Sequence, residues 1–295
     1  MTSPTNRPDR VAFVGFGEAG TAFASGWDTD RPADLRAYDI KTDSPETRAT
    51  LVDRYAAEGV DGRDTLTATL EGVEAVFCVV TADQAHAATK AAAPHLAAGT
   101  LWFDCNSCSP GTKRRSAEVI EAAGGRYVDV AVMAPVYPKR HQVPLLISGP
   151  HSDVAEAVLK AFDMRPRQMG ADVGRASTIK MLRSVMIKGM EALTAECFLS
   201  ARRAGVEEEV IGSLEASDPD INWRERGAYN LERMMVHGAR RSAEMVEVAV
   251  TVDELGLGGG MASAAAEWQG RIAALGEEPG ADDLYGRADT ILKRL

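Results

Sequence analysis

The stretch that decides the fold is VAFVGFGEAGTAFASG, residues 11–26. It opens as an apolar β-type run and closes on small helix-forming residues. Between them stand Gly15, Gly17 and Gly20 in G-x-G-x-x-G spacing. That spacing alone is weak, but after a strand and at the mouth of a helix it is the dinucleotide-binding turn. Gly15 permits the tight turn, Gly17 lets a pyrophosphate approach the backbone, and Gly20 lets helix and strand pack closely. Phe16 lies in the turn, and Glu18 and Ala19 open the helix, whose unpaired N–H groups face the phosphates. An acid, Asp39, ends the next apolar run, 19 residues after Gly20, where it meets the adenosine ribose. Its charge repels a 2′-phosphate and favours NAD, while Lys41, two residues on, would tolerate NADP. The bland alternatives are a glycine turn without a ligand and a strand-end acid serving only the turn.

Outward from this turn, short apolar runs alternate with helical stretches. The runs are 11–17, 35–40, 74–80, 100–106, 126–132 and 144–149, and the helical stretches between them are 18–28, 45–58, 83–94 and 110–123. Such alternation predicts a parallel sheet covered on both faces. No β-run is evident after about Phe162. Helical periods follow at 174–204, 206–216, 222–237, 238–256, 260–274 and 281–293, with apolar residues Ile179, Leu182, Met186, Leu193 and Cys197 along the first. The fold class expected is an α/β Rossmann domain over 1–165 followed by an all-α domain over 166–295, joined by a long helix.

Composition excludes several classes. Lys and Arg number 33 against 43 Asp and Glu, a net charge of −10, so there is no basic footprint for nucleic acid. No apolar run reaches the roughly 20 residues of a membrane span. The opening MTSPTNRPDR has no apolar core of an export signal. Four cysteines in 295 residues do not make a disulfide framework, which leaves the cytoplasm as the expected compartment. The pair Cys105-x-x-Cys108 lacks a second pair for zinc, so small residues packed in a loop are expected there rather than redox chemistry. His86, in TADQAHAAT, is expected on a helix surface.

Lys180, in VGRASTIKMLRS (173–184), lies between Ile179 and Met181 at the start of the long helix. A lysine there can snorkel to water. It can also work: oxidising an alcohol by hydride loss requires a base at the hydroxyl, and the reverse reaction requires an acid. A helix start at the domain junction can set such a lysine over a nicotinamide held at the strand ends.

Four segments together resemble the β-hydroxyacid dehydrogenase family, relatives of 3-hydroxyisobutyrate and 6-phosphogluconate dehydrogenases. FVGFGEAGTAFASG (13–26) is similar to its cofactor loop and DCNSCSP (104–110) to its D-x-S-T-x-x-P loop. YVDVAVMAP (127–135) stands in place of its D-A-P-V-S-G-G substrate loop, and GRASTIKMLRS (174–184) in place of its catalytic helix. The C-terminal half, with HGARRSAEMVEVAVTVDELG (237–256), is more similar to a branch of 6-phosphogluconate-dehydrogenase-like proteins.

The resemblance implies that Lys180 is the general acid/base and that Ser184, where the family has asparagine, orients the reacting oxygen. It places Val80, Thr81, Asn106 and Ser107 by the cofactor and Val132, Met133, Ala134 and Pro135 around the substrate. It also implies a homodimer. The family's S-G-G is Met133-Ala134-Pro135 here, Arg183 replaces an asparagine and Ala243 a lysine, so no relative's substrate is transferred. Arg140, in the cationic run Lys139-Arg140-His141, and His237 with Arg240 and Arg241 are candidates to hold an acidic substrate. Their bland alternatives are a solvated loop and ion pairs with Glu232, Glu244 or Glu247, and Met133 and Tyr137 could instead line an apolar pocket. The expected activity is NAD(P)-dependent interconversion of hydroxyl and carbonyl on a small, acidic molecule. Imine reduction and nucleotide sensing without turnover are the other readings.

Overall fold

The computed structural model describes residues 7–28 and 31–295, and the opening segment weighed above for an export signal lies largely outside them. The apolar runs become β1 (Arg10–Val14), β2 (Asp34–Tyr38), β4 (Ala75–Cys78), β5 (Leu101–Asp104), β6 (Arg126–Val132) and β7 (Pro144–Ser148). Two more strands, β3 (Asp61–Gly62) and β8 (Arg165–Gln168), carry no apolar signature. The sequence RPRQ of β8 corrects the expectation that strands end near Phe162. An edge strand pairs on one side only, so it tolerates proline and charge. The division expected at 165/166 therefore cuts into the sheet.

Strand order is β3-β2-β1-β4-β5-β6-β7-β8. Neighbours run parallel except β6 and β7, so the sheet is parallel-dominated rather than parallel throughout. Helices α1 (Glu18–Gly26), α2 (Pro45–Ala57), α3 (Leu66–Leu70), α4 (Ala85–Ala92), α5 (Pro110–Ala122) and α6 (Ser152–Ala161) accompany it. Alternate strand residues feed two cores, which is why the strands read as continuous apolar runs. Phe13, Phe77, Phe103 and Val130 join Trp27 and Phe162 in one. Val14, Val76, Trp102 and Tyr127 join Ile120 in the other. The order reverses between β1 and β4, opening the crevice at the strand C-termini where α/β sheets take ligands.

The chain divides into compact units Met1–Lys180 and Met181–Leu295, a boundary that falls inside α7 (Arg175–Ala204). In the second unit follow α8 (Glu207–Ser217), α9 (Trp223–Glu254), α10 (Gly260–Ala273) and α11 (Leu284–Leu292). The two helices expected over 222–237 and 238–256 are one. Gly238 is not a breaker: a Cβ there would lie 2.6 Å from the Gln269 carbonyl oxygen, so the glycine admits the backbone of α10. Of the apolar residues along α7, Ile179, Leu182, Met186 and Leu193 face outward, Met186 63% exposed. No helix among the described residues is long and apolar enough to cross a membrane.

Candidate active site

The β1–α1 turn is held from below. Gly15 N–H donates to the Tyr38 carbonyl (2.8 Å), and Phe16 N–H donates to Asp39 Oδ2 (2.8 Å). Asp39 Oδ1 accepts from Lys41 N–H (3.0 Å), so both carboxylate oxygens brace the end of β2 while keeping lone pairs for a ligand. Exposed Ile40, beside the acid, offers an apolar surface that the sequence reading passed over.

The three glycines differ. Gly15 has φ +84°, and a Cβ there would lie 2.7 Å from Val80 Cγ1 and 3.0 Å from the Val79 carbonyl oxygen. Gly20 is pressed against Phe16. At Gly17, which precedes α1, a Cβ would meet nothing within 4 Å. Open space above a helix N-terminus with a bare backbone fits a pyrophosphate. Gly15→Ala is expected to destabilise the fold by about 1–3 kcal/mol, measured by denaturant unfolding without ligand, because the left-handed backbone and the neighbouring Val80 both oppose a Cβ.

The loop after β5 carries Asn106, Ser107 and the two cysteines. Ser109 caps α5 by accepting from Thr112 N–H (3.2 Å), and Pro110 supplies a preset first helical φ. Asn106 is fixed by Asp104 Oδ1, which accepts from its N–H (3.1 Å) and its Nδ2 (2.7 Å). Asn106 Oδ1 is buried with no hydrogen-bond partner. Lys180 Nζ donates to Ser107 Oγ at 2.6 Å. The lysine five residues into α7 thus reaches the loop at the C-terminal end of β5. Cys105 and Cys108 are buried and not joined in a disulfide, and burial pushes the Cys105 thiol up to about 12, unlike a redox thiol.

Beneath this loop lies a buried polar cluster. Asp104 and Asp129 are register partners on β5 and β6. Lys113 of α5 stands between them, wholly buried, with Nζ 3.0 Å from Asp104 Oδ1 and 3.5 Å from Asp129 Oδ1. Burial opposes the Lys113 ammonium, but the two carboxylates outweigh it and hold its pKa above the usual lysine value. Tyr127 OH donates to Asp104 Oδ2 at 2.7 Å. Burial, then the Asp104 charge, raises the phenol well above its usual pKa and keeps it a donor.

Other expected residues are more scattered. Met133 is half-buried, with Ala134 and Pro135 exposed, at the end of β6. Arg140 is not brought to that end of the sheet's crevice: its Nη1 donates to the Ser25 carbonyl (3.3 Å), at the opposite end of α1 from the glycine turn. His141 packs on Gly26 beside it. In the second unit, Ser184 Oγ accepts from Lys188 Nζ (3.3 Å), which also pairs with Glu244 (2.8 Å). Arg240 pairs with Glu244 as well. Arg241 is buried and grips Glu191 through both Nε and Nη2. His237 lies half-buried four residues earlier on α9.

Residues 10–169 match the model of the NAD binding domain of 6-phosphogluconate dehydrogenase. The chain belongs to that family. Residues 201–272 match a domain of unknown function, DUF1932. Among solved structures, a conserved hypothetical protein from Sinorhizobium meliloti is 36% identical over 97% of this chain and 96% of its own, with TM-score 0.74. A conserved protein described as structurally similar to 3-hydroxyacid dehydrogenases is 28% identical over 90% of this chain and 97% of its own, with TM-score 0.66. The 3-hydroxyisobutyrate dehydrogenase of Mycobacterium tuberculosis shares the fold at 18% identity, with TM-score 0.70 over 96% of this chain and 97% of its own. An uncharacterized 28.5 kDa protein of Methanothermus fervidus is 26% identical over 148 residues, half of this chain and 56% of that protein's length. Membership in the 6-phosphogluconate dehydrogenase NAD-binding family makes this an NAD(P)-binding chain of an oxidoreductase fold.

Within that family framework, the sequence reading missed Lys113, Asp104, Asp129 and Ser177 as a set. Two signals were there: an aspartate inside each of the apolar runs TLWFDCN and YVDVAV, where a buried charge needs a partner. The partner, nine residues after Asp104 on a helix, has no local signature.

Proposed function

We propose that this protein is an NAD(P)-dependent dehydrogenase or reductase that interconverts a hydroxyl and a carbonyl on a small, acidic substrate, with Lys180 as general acid/base. The observation that carries the proposal is the 2.6 Å contact of Lys180 Nζ with Ser107 Oγ, beside the strand ends where the glycine turn receives a dinucleotide. Nicotinamide, when bound, accepts or gives the hydride. The chain does the rest. Gly15, Phe16, Gly17, Glu18, Ala19 and Gly20 hold the pyrophosphate, Asp39 takes the ribose hydroxyls, and Val80 and Thr81 flank the phosphate turn. The unpartnered Asn106 Oδ1 accepts from an amide or hydroxyl donor in the crevice. Lys180 removes the hydroxyl proton as hydride departs and returns it in reduction, with Ser107 steering the amine. Ser184, one helical turn after Lys180, orients the same oxygen.

The Asp39 charge favours NAD over NADP. Residues 132–135 shape the substrate pocket. The acidity of the substrate rests on Arg140, His237 and Arg241, of which Arg140 also donates to the Ser25 carbonyl and Arg241 to Glu191. A panel of hydroxy acids and neutral alcohols with NAD and NADP, read by absorbance of the reduced cofactor, tests this. Turnover of a hydroxy acid with higher kcat/KM for NAD is expected, and turnover of neutral alcohols alone would remove the acid preference. Gly17→Val gives a complementary result. With nothing near its Cβ, it should change stability by about 1 kcal/mol or less. It should raise the NAD Kd about ten- to hundredfold by displacing charge-assisted hydrogen bonds worth about 1.5–3 kcal/mol. Titration calorimetry and thermal unfolding separate the two effects.

Four cysteines that do not form a disulfide framework fit a reducing compartment, and we propose the cytoplasm as the place of the reaction. We also propose a homodimer, supported by the outward apolar residues Leu182, Met186, Ile187 and Leu193 of α7. Sedimentation equilibrium at twice the 31.5 kDa chain mass is the expected result.

A further inference from the structure

We propose that the Asp104–Lys113–Asp129 cluster, with Ser177, is a positioning clamp that sets Lys180 against Ser107. This rests on Lys180 being the acid/base.

Two like charges in register on adjacent strands repel each other and, when buried, need a cation between them. Lys113 supplies it and adds a bond to the Asp104 main-chain carbonyl (2.7 Å). Each carboxylate also holds one side of the proposed reacting pair. Asp104 fixes Asn106 through two bonds and so fixes the loop that bears Ser107. Asp129 fixes α7. That helix is preceded by Gly174, at φ +95°, which has no side chain with which to cap it. Asp129 Oδ2 accepts from Gly174 N–H (3.1 Å) and Ser177 N–H (3.0 Å), and Oδ1 accepts from the Ser177 hydroxyl (2.5 Å). The cap is delivered from a different strand, so the first turn of α7 is anchored on β6 rather than on its own chain.

Ser148 links the same carboxylate to the Ala176 N–H, donating to Asp129 Oδ2 (3.0 Å) and accepting from Ala176 (3.0 Å). Lys180 lies three residues after Ser177, close to one turn. Its distance to Ser107 is therefore set by two anchored segments joined through Lys113 Nζ. A charged group buried at this depth is expensive to keep. Holding two segments in one register gives it a task.

The test uses the whole protein and the variants Ser177→Ala, Lys113→Met and Lys113→Arg. Two readouts are taken. One is kcat and KM with the substrate found by the panel. The other needs no substrate: the rate of trace acetylation of Lys180 by acetic anhydride, read by peptide mass spectrometry against exposed Lys41 and Lys139 in the same sample. Misplacing a reacting group by about 1 Å costs up to about a hundredfold in rate. Ser177→Ala and Lys113→Met are expected to lower kcat about ten- to hundredfold with KM and NAD Kd within about threefold, and Lys113→Arg to recover part of the loss. Lys180 acetylation should rise severalfold relative to the exposed reference lysines as the amine leaves Ser107.

Unchanged kcat and unchanged acetylation in folded Ser177→Ala and Lys113→Met overturn the clamp. Should Lys113→Met fail to fold, Ser177→Ala, which removes one neutral hydroxyl, decides by the same readouts. Lys180→Met in the same assay keeps the two ideas separate. If it retains kcat, the acid/base role falls and the acetylation rates alone judge the clamp.

Discussion

Lys180→Met should lower turnover by about 10²–10⁴-fold while leaving NAD affinity and thermal stability close to those of the parent protein. The amine is half-buried and donates to the hydroxyl of Ser107, and methionine preserves the length and packing of the stem while removing the titrating group. The glycine turn that receives the dinucleotide lies on β1 and α1 and owes nothing to this side chain. The measurement is steady-state absorbance of the reduced cofactor beside calorimetric titration with NAD. A protein that senses nucleotide without chemistry would show no turnover to lose. A residual rate equal to the parent's would assign proton transfer to another group.

Arg241→Met should destabilise the second unit by about 3–5 kcal/mol, because it leaves the Glu191 carboxylate buried without its cation. Arg241 is 8% exposed and Glu191 2%. The guanidinium donates to Glu191 Oε2 at 3.0 Å and to Oε1 in a forked pair, and Gln269 Nε2 adds a third donor at 2.7 Å. Gln269 Oε1 has no hydrogen-bond partner, so the site has no spare donor to replace the arginine. Replacing both partners, Arg241→Met with Glu191→Leu, should restore much of the loss, since a matched apolar pair removes the stranded charge. Chemical denaturation measures both. The sequence offers Arg241 as a substrate ligand. A variant with normal stability and raised KM would support that role, whereas lost stability with unchanged KM places the residue in the core.

The Rossmann half was legible because its signals are local. Gly15, Gly17, Gly20 and Asp39 are spaced by the geometry of one turn and one strand, and the apolar runs mark strands buried on two faces. The helix that bears Lys180 was legible from its apolar period and its length. What stayed hidden depends on distant partners. β8 reads as a loop because RPRQ needs β7 to define it. The single helix α9 reads as two, 222–237 and 238–256, because the close neighbour that requires Gly238, Gln269, is 31 positions away. Arg140 reads as available because nothing nearby in sequence announces the Ser25 carbonyl. The aspartates of β5 and β6 stood in plain view, but their counter-ion comes from a helix whose own periodicity gives no hint of a buried ammonium.

The two margins of the sheet share a property with a practical outcome. One margin is β3, only two residues long, and the other is β8, where Pro166 lacks a donor and Arg165 and Arg167 bring charge. Neither presents the long, flat, uncharged row of amides on which a stray strand could seed. Both margins therefore oppose edge-to-edge pairing between copies of the sheet.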